Sequence, residues 1–448
     1  MVGSREPRWQ PTRRTVVGAA GTAMLAAGTG LGGRQLYRSR RVEVPLYSET
    51  VALDGPGSRV LVPAGGADRV VPGTRVLRTA RDADALVAQE QAWLAAGAPW
   101  TTTGTWADLA RNALLDLRVL TRPDGIPVAG WSPAWRYVWP RDVAHHAAAL
   151  AATGHAAEAL PSLRFLGRVQ DPSGWFHARY LPDGSGPPDR RGHQLDGTGW
   201  ALWATAQVVA ALPESQAQVA LWQLRPMIER STALIHALVD NPSGLPGPSP
   251  DFWETPESEL TLGTVAPLVA GLRGAAAVFA LMGDTAAGAA ARSRSLDLRA
   301  AIDRSFAANG YPRHAAGEEP DAAVAFLLPP YAASTVGAVP AALTRAEDRL
   351  QRPAGGLAPG AGWKDDGISW TPETTLFALA HAHSGNVPAA ERLLDWVGAH
   401  RTAAGSVPEK VLYDGSPAAV APLGWTASLV VLTAAALQGH PGGIQGTG

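Results

Sequence analysis

TPETTLFALAHAHSGNVPAAERLLDWVGAHRTAAGSVPEKVLYDGSPAAVAPLGWTASLVVLTAAAL, residues 371–437, carries the unit from which the fold is read. Three Ala-rich segments within it, 371–384, 387–400 and 423–437, have apolar residues at helical spacing. Gly385 and Asn386 join the first two in a tight turn, whereas a long Gly/Pro-rich loop, 401–422, leads into the third. Outward from this unit the alternation recurs. Amphipathic segments at 105–121, 141–154, 156–169, 197–212, 217–239, 258–282, 284–306, 321–328 and 339–351 precede it, about twelve helices in all. Long aromatic loops at 122–140, 170–196, 240–257 and 352–370 fall on alternate connections. Six inner and six outer helices, with the long loops at one end, satisfy that pattern and put a site at the loop end. A helical solenoid would need a repeat of fixed period and signature, and none is visible.

The 448 residues include 46% hydrophobic and 17% charged positions, enough to bury a sizeable core. Lys and Arg (38) nearly cancel Asp and Glu (39), with no charge run beyond the N-terminus, so a nucleic-acid partner is not expected and a neutral one fits better. Cysteine is absent, which removes disulfides, thiol nucleophiles and thiolate metal sites. The His residues lack ligand spacing and Asp365-Asp366 alone is a weak lure, so no metal and no cofactor are expected. Sixteen Trp against seven Tyr and seven Phe suits stacking on sugar rings, although core filling uses Trp as well.

Residues 1–34 join Arg5, Arg8, Arg13 and Arg14 to an uncharged stretch, and "TRRTVV" (12–17) resembles a twin-arginine export signal. The alternative is an uncleaved membrane anchor, since no clean small-x-small site precedes Arg34. The expected location is therefore exported, extracellular or tethered at the cell surface. Residues 35–100 read as a short β-rich segment ("VEVPLY", "SRVLVPAG", "TRVLRT") with a lead-in helix, leaving 101–440 for the helical domain.

Three loops carry candidate chemistry. "WRYVWPRD" (135–142) ends where a helix begins; Pro140 and Asp142 suit a first turn, but the run also offers a stacking face, a fork donor and a carboxylate. "SPDFWETPESEL" (249–260) sets Glu254 directly after Trp253 and three residues after Asp251, surroundings that would raise a carboxyl pKa as a general acid requires. A helix start capped by Thr255 would explain Glu257 and Glu259 but not Phe252-Trp253-Glu254. Glu409, between Pro408 and Lys410, is by itself an ordinary surface acid; its position between the last two helices, beside a charge that keeps it ionised, makes it a candidate base.

These residues resemble glycoside hydrolase family 15, the glucoamylase and glucodextranase family. "YVWPRD" (137–142) is similar to the Trp-x-Arg-Asp motif at the second helix, and "HQLDGTGWALWAT" (193–205) to the Gln-x-Asp stretch opening the fourth. "DFWE" (251–254) resembles the general-acid loop, and "VPEKV…APLGWTAS" (407–428) the general-base loop and twelfth helix; the similarity runs over roughly residues 100–440. The resemblance implies an all-α (α/α)6 barrel and hydrolysis with inversion, with Glu254 as general acid and Glu409 as general base. It further implies that Arg141 and Asp142 anchor the terminal sugar, that Trp139 and Trp253 wall the pocket, and that Trp370 is the aromatic opening the tenth helix. The sequence departs from the pattern at Thr255, where a second acid is frequent, and at Lys410, where Gln is common. "GAGWKDDGISW" (360–370) replaces an Arg-Tyr-Pro-x-Asp run, and the bacterial N-terminal β-sandwich shrinks to about sixty residues. The expectation is an exo-acting α-glucosidic hydrolase with its carboxyls roughly 6.5–9.5 Å apart. A carbohydrate-binding protein that has lost catalysis, or a trehalose hydrolase, are the alternatives.

Overall fold

The computed structural model describes residues 42–333 and 337–439; the expected signal or anchor, 1–34, lies outside them. Strands β1 (Thr50–Gly55) and β2 (Ser58–Val62) form an antiparallel hairpin, followed by the lead-in helix α1 (Ala83–Ala95). "VEVPLY" and "TRVLRT", read as strands, make isolated bridges only, Leu46 with Ala419, Leu53 with Val76 and Val70 with Leu77. Among the described residues eleven α-helices follow: α2 (Ala107–Leu120), α3 (Pro140–Ala152), α4 (Leu160–Val169), α5 (Asp196–Ala210), α6 (Glu214–Val239), α7 (Leu262–Leu281), α8 (Thr285–Phe306), α9 (Val339–Leu350), α10 (Thr371–His383), α11 (Val387–Ala399) and α12 (Gly424–Leu437). A 3-10 helix, Ala322–Leu327, comes between α8 and α9.

The inner ring runs α3, α5, α7, the 3-10 helix, α10 and α12, each against the next, and α12 packs back on α3. The remaining helices, α2, α4, α6, α8, α9 and α11, lie outside, giving an (α/α)6 barrel. Sequence pattern explains the layers. In α11 the buried set is Ala390, Leu393, Leu394 and Val397, one stripe at helical spacing, as an outer helix needs. Every residue of α5 from Asp196 to Val209 is buried, so this helix is surrounded by others. α7, the one described helix long and apolar enough to cross a membrane, is likewise mostly buried in the barrel. α5 and α7 meet backbone to backbone: a methyl on Gly199 would lie 2.3 Å from the Pro267 carbonyl oxygen, and one on Gly271 2.7 Å from Gly199 Cα.

Two expected helices differ. The segment 321–328 holds a six-residue 3-10 helix, about two turns, capped by Asp321, which accepts from Ala323 N–H, and ended by Pro329-Pro330. α7 starts at Leu262 rather than 258, capped by Thr261, which accepts from Thr264 N–H at 3.1 Å; Thr255 caps nothing. Glu257 and Glu259 therefore precede the helix.

The N-terminal segment fastens the last long loop. Tyr47 N–H donates to Ala419 O at 2.8 Å and Ala419 N–H to Pro45 O at 3.0 Å. Ser48 Oγ donates to Ala421 O and Thr50 Oγ1 bonds Ser406 Oγ, both at 2.6 Å. Beneath them Arg75 pairs with Asp116 at 2.7 Å, both fully buried.

Candidate active site

The long loops enclose a cleft of about 350 Å³ at one end of the barrel. Its lining includes Trp139, Arg141, Asp142, Trp253, Glu254, Trp370 and Glu409, so the structure gathers all seven residues singled out from the sequence.

Glu254 sits in a tight turn after Asp251, its N–H donating to Asp251 O at 2.8 Å. Its φ is +56°, left-handed backbone that a non-glycine residue adopts at a cost of about 1–3 kcal/mol. What over-determines the turn lies underneath. Asp251 accepts from Trp253 N–H (2.9 Å) and Thr261 Oγ1 (2.8 Å), and Arg313 forks between Asp251 and Asp321 at 3.0 Å and onto Glu257 at 2.6 Å. The Arg313 guanidinium lies 3.7 Å from the Trp253 ring centroid. Gly360 seats the other side of that ring, where a methyl would come within 2.4 Å of it.

This corrects the electrostatic reading of the acid loop. Asp251 faces the buried Arg313 knot, not Glu254, and the charged group against Glu254 Oε2 is the Arg191 guanidinium. Trp139 N–H donates to the other oxygen at 2.5 Å. The sequence reading set an acid, Asp251, against Glu254; the structure sets a cation there.

Glu409 is held by pairing of short strands. β3 (Ser369–Trp370), β4 (Lys410–Val411) and β5 (Pro417–Ala418) form one small sheet in which Trp370 faces Lys410. Glu409 N–H donates to Val420 O at 2.8 Å and its carbonyl accepts from Thr371 N–H at 3.1 Å. Trp135 N–H donates to Glu409 Oε1 at 3.1 Å, and Lys410 Nζ lies 3.3 Å from Oε2 while resting 4.3 Å over the Trp370 ring. The Glu409–Lys410 ion pair expected from the sequence is present.

α3 delivers Arg141 and Asp142 to the same cleft, paired at 3.2 Å, with Arg141 4.5 Å over the Trp425 ring. Burial pushes the Asp142 carboxyl up against the pull of Arg141. Glu373, in the first turn of α10, also lines the cleft; burial raises its carboxyl to about 8, with Glu409 and Asp321 adding to the rise and Arg141 opposing it.

Buried polar atoms in folded proteins are almost always paired. Here Arg141 Nε and Nη1, Glu373 Oε2 and the indole N–H groups of Trp253, Trp363, Trp370 and Trp425 are buried without a hydrogen-bond partner among the described residues. All line this one cleft. Trp135, Arg191, Arg313, Trp363, Glu373 and Trp425 were not singled out from the sequence. Trp135 opens the quoted "WRYVWPRD" and Trp425 lies in "APLGWTAS", so those two signals were present.

No protein-family model and no curated protein matches the chain. Solved structures do. A glycosidase is similar over 74% of this chain and 96% of its own, with TM-score 0.64 at 19% identity. A bacterial glucoamylase complexed with acarbose is similar over 80% of this chain and 59% of its own, with TM-score 0.66 at 16% identity. The glucoamylase of Saccharomycopsis fibuligera is similar over 75% and 96%, with TM-score 0.59 at 12% identity. The chain has the glucoamylase-type (α/α)6 fold.

Proposed function

We propose that the protein is a family 15-type glycoside hydrolase, exo-acting and inverting, that cleaves α-glucosidic bonds. The observation that carries this reading is the set of unpartnered donors and acceptors lining one cleft with two carboxylates, each of which accepts one indole N–H. A sugar supplies what those atoms lack: hydroxyls for the Arg141 fork, Asp142 and Glu373, and apolar ring faces for the tryptophans. Held near 8, Glu373 is protonated at neutral pH and donates to a sugar hydroxyl. In the reaction Glu409 takes a proton from water, whose oxygen attacks the anomeric carbon. The bond to the leaving oxygen breaks as Glu254 gives that oxygen its proton. Trp135 and Lys410 hold Glu409 as the acceptor; Trp139 orients Glu254.

The test is a panel of α-glucosides, trehalose among them, followed by proton NMR of the first anomer released. The β-anomer, with turnover lost in both Glu254→Gln and Glu409→Gln, is the expected outcome. The α-anomer refutes inversion. A carbohydrate-binding protein without catalysis is the second reading, favoured by the Arg191 cation on Glu254. Sugar binding without turnover in the wild type would establish it. Export through Arg13-Arg14, with a surface tether as the variant form, belongs to the same proposal. Fractionation of cells carrying Lys at both positions tests it; unchanged export refutes it.

A further inference from the structure

The charge balance beside Glu254 points beyond a neutral glycan. Two arginines of the 170–196 loop line the cleft, Arg179 and Arg191. Arg179 stacks 4.6 Å over Tyr137 and 5.1 Å over Trp139, the indole that binds Glu254. Its side chain is 13% exposed, and its Nε is buried without a hydrogen-bond partner among the described residues. A single carboxylate, Asp189, serves both guanidiniums, at 2.6 Å from Arg179 and 3.4 Å from Arg191. The second anion of Arg191 is Glu254 itself.

Within this local set two cations, Arg179 and Arg191, face two anions, Asp189 and Glu254. The balance fails when Glu254 is protonated, the form in which a general acid acts, because Asp189 then faces two guanidiniums alone. Burial, and after it the charge of Arg179, already pulls Arg191 below its ordinary value. A neutral leaving group leaves this surplus positive charge uncompensated beside the proton donor. A negative one compensates it and draws Arg191 away, which lets Glu254 hold its proton.

We infer that the leaving group carries an oxyanion, a carboxylate or a phosphate, which Arg191 and Arg179 bind in place of Glu254. The inference rests on the glycosidase reading, since a proton donor touches the leaving oxygen and its neighbours lie within reach of the rest of that group. The guanidinium fork matches either oxyanion in bidentate geometry. The substrate class is therefore an α-glucoside of a small hydroxy acid or of a phosphorylated alcohol. Arg191 becomes the residue that selects it.

Three α-glucosides test this, with glycolate, glycolamide and 2-phosphoethanol as leaving groups. The wild type is expected to hydrolyse at least one anionic glucoside with a kcat/KM about ten- to hundredfold above that of the amide, the range of a charge-assisted pair. The preference should shrink with added salt, and it should fall toward parity in Arg191→Gln and in Arg179→Gln. The ratio between substrates, not the rate itself, is the readout, because Arg191 touches the acid. Which anion is favoured identifies the source. Equal hydrolysis of all three, with the β-anomer released, overturns the inference while leaving the glycosidase reading intact, as does a preference unchanged in both variants. If none is cleaved, the wider α-glucoside panel decides the glycosidase reading separately, and titration calorimetry decides the inference. Binding of an anionic glucoside above the amide, lost in Arg191→Gln, still supports the oxyanion subsite; equal binding, or none, overturns it.

Discussion

Arg313→Met removes one guanidinium and leaves three carboxylates around a cavity. Arg313 is 5% exposed, Asp251 and Asp321 are fully buried, and Glu257 is 10% exposed. Deleting one partner of a buried ionic group costs about 3–5 kcal/mol, because the remaining charge is left uncompensated. Protonation offsets part of that cost, and Asp321 is the group placed to take the proton. Burial already holds its folded carboxyl near 7, from 3.8, in spite of Arg313. A group raised in this way stabilises the fold fully below its unfolded value and loses that contribution as the pH rises through its folded value. Without the guanidinium the rise becomes steeper. Glu257 works in the same direction: against the rise that burial imposes, Arg313 and His314 hold its carboxyl below the ordinary value, and the Arg313 part of that support is gone in the variant. Urea unfolding of both proteins at pH 5 and pH 8 measures the effect. The variant should be weaker at both, by about 3–5 kcal/mol at pH 8 and by distinctly less at pH 5. A deficit under about 1 kcal/mol at pH 8, or one equal at the two pH values, would mean that the knot is solvated and does not brace the Glu254 turn.

Glu373→Gln keeps the size of the side chain and a donor while removing the titration. The wild type should lose stability between about pH 4.5 and 8 through this residue and the variant should not; parallel pH–stability curves would refute the raised carboxyl. Trp135→Phe deletes the N–H on Glu409, and a lost bond to a charged group predicts a fall in kcat of about ten- to hundredfold with KM little changed. Steady-state kinetics check it, and an unchanged kcat removes Trp135 from the site. Gly271→Ala forces a methyl against the α5 backbone and should lower unfolding free energy by about 1–3 kcal/mol in a denaturant melt. A neutral result there would show that the two inner helices can separate freely.

Periodicity made the outer layer readable, because a helix such as α11 shows its buried stripe directly in the sequence. The inner ring was readable mainly through its loops, since α5 and α12 are apolar nearly all round and have no face to reveal. Glu254, Arg141 and Asp142 were legible because each lies in a short run of mixed aromatic and charged residues, whereas Glu409 was legible through its place between the last two helices. Glu373 was hidden by a respectable local role: an acid in the first turn after Pro372 looks like a helix start, and its burial comes from other loops. Arg313 was hidden differently, in an unremarkable connection whose partners are up to 62 residues away. The same distance misled the reading of Asp251. One residue from Phe252 and three from Glu254 in sequence, it spends its charge on that arginine, and spacing cannot say which way a side chain turns.

The fastening of residues 45–50 to the last long loop sets when during synthesis the cleft can come into being. Ser48 and its acceptor Ala421 are 373 residues apart, and Thr50 and Ser406 are 356 apart. Closing a span of that length costs chain entropy before any contact repays it, so these bonds belong to the late steps of folding. A nascent chain that has reached residue 400 already contains Glu254, Arg141 and most of the inner ring. It has neither the base nor the loop that the first strands must grip. Residues 45–50 wait until residues 406–421 have been made, and the acid acquires its counterpart only with that same late segment.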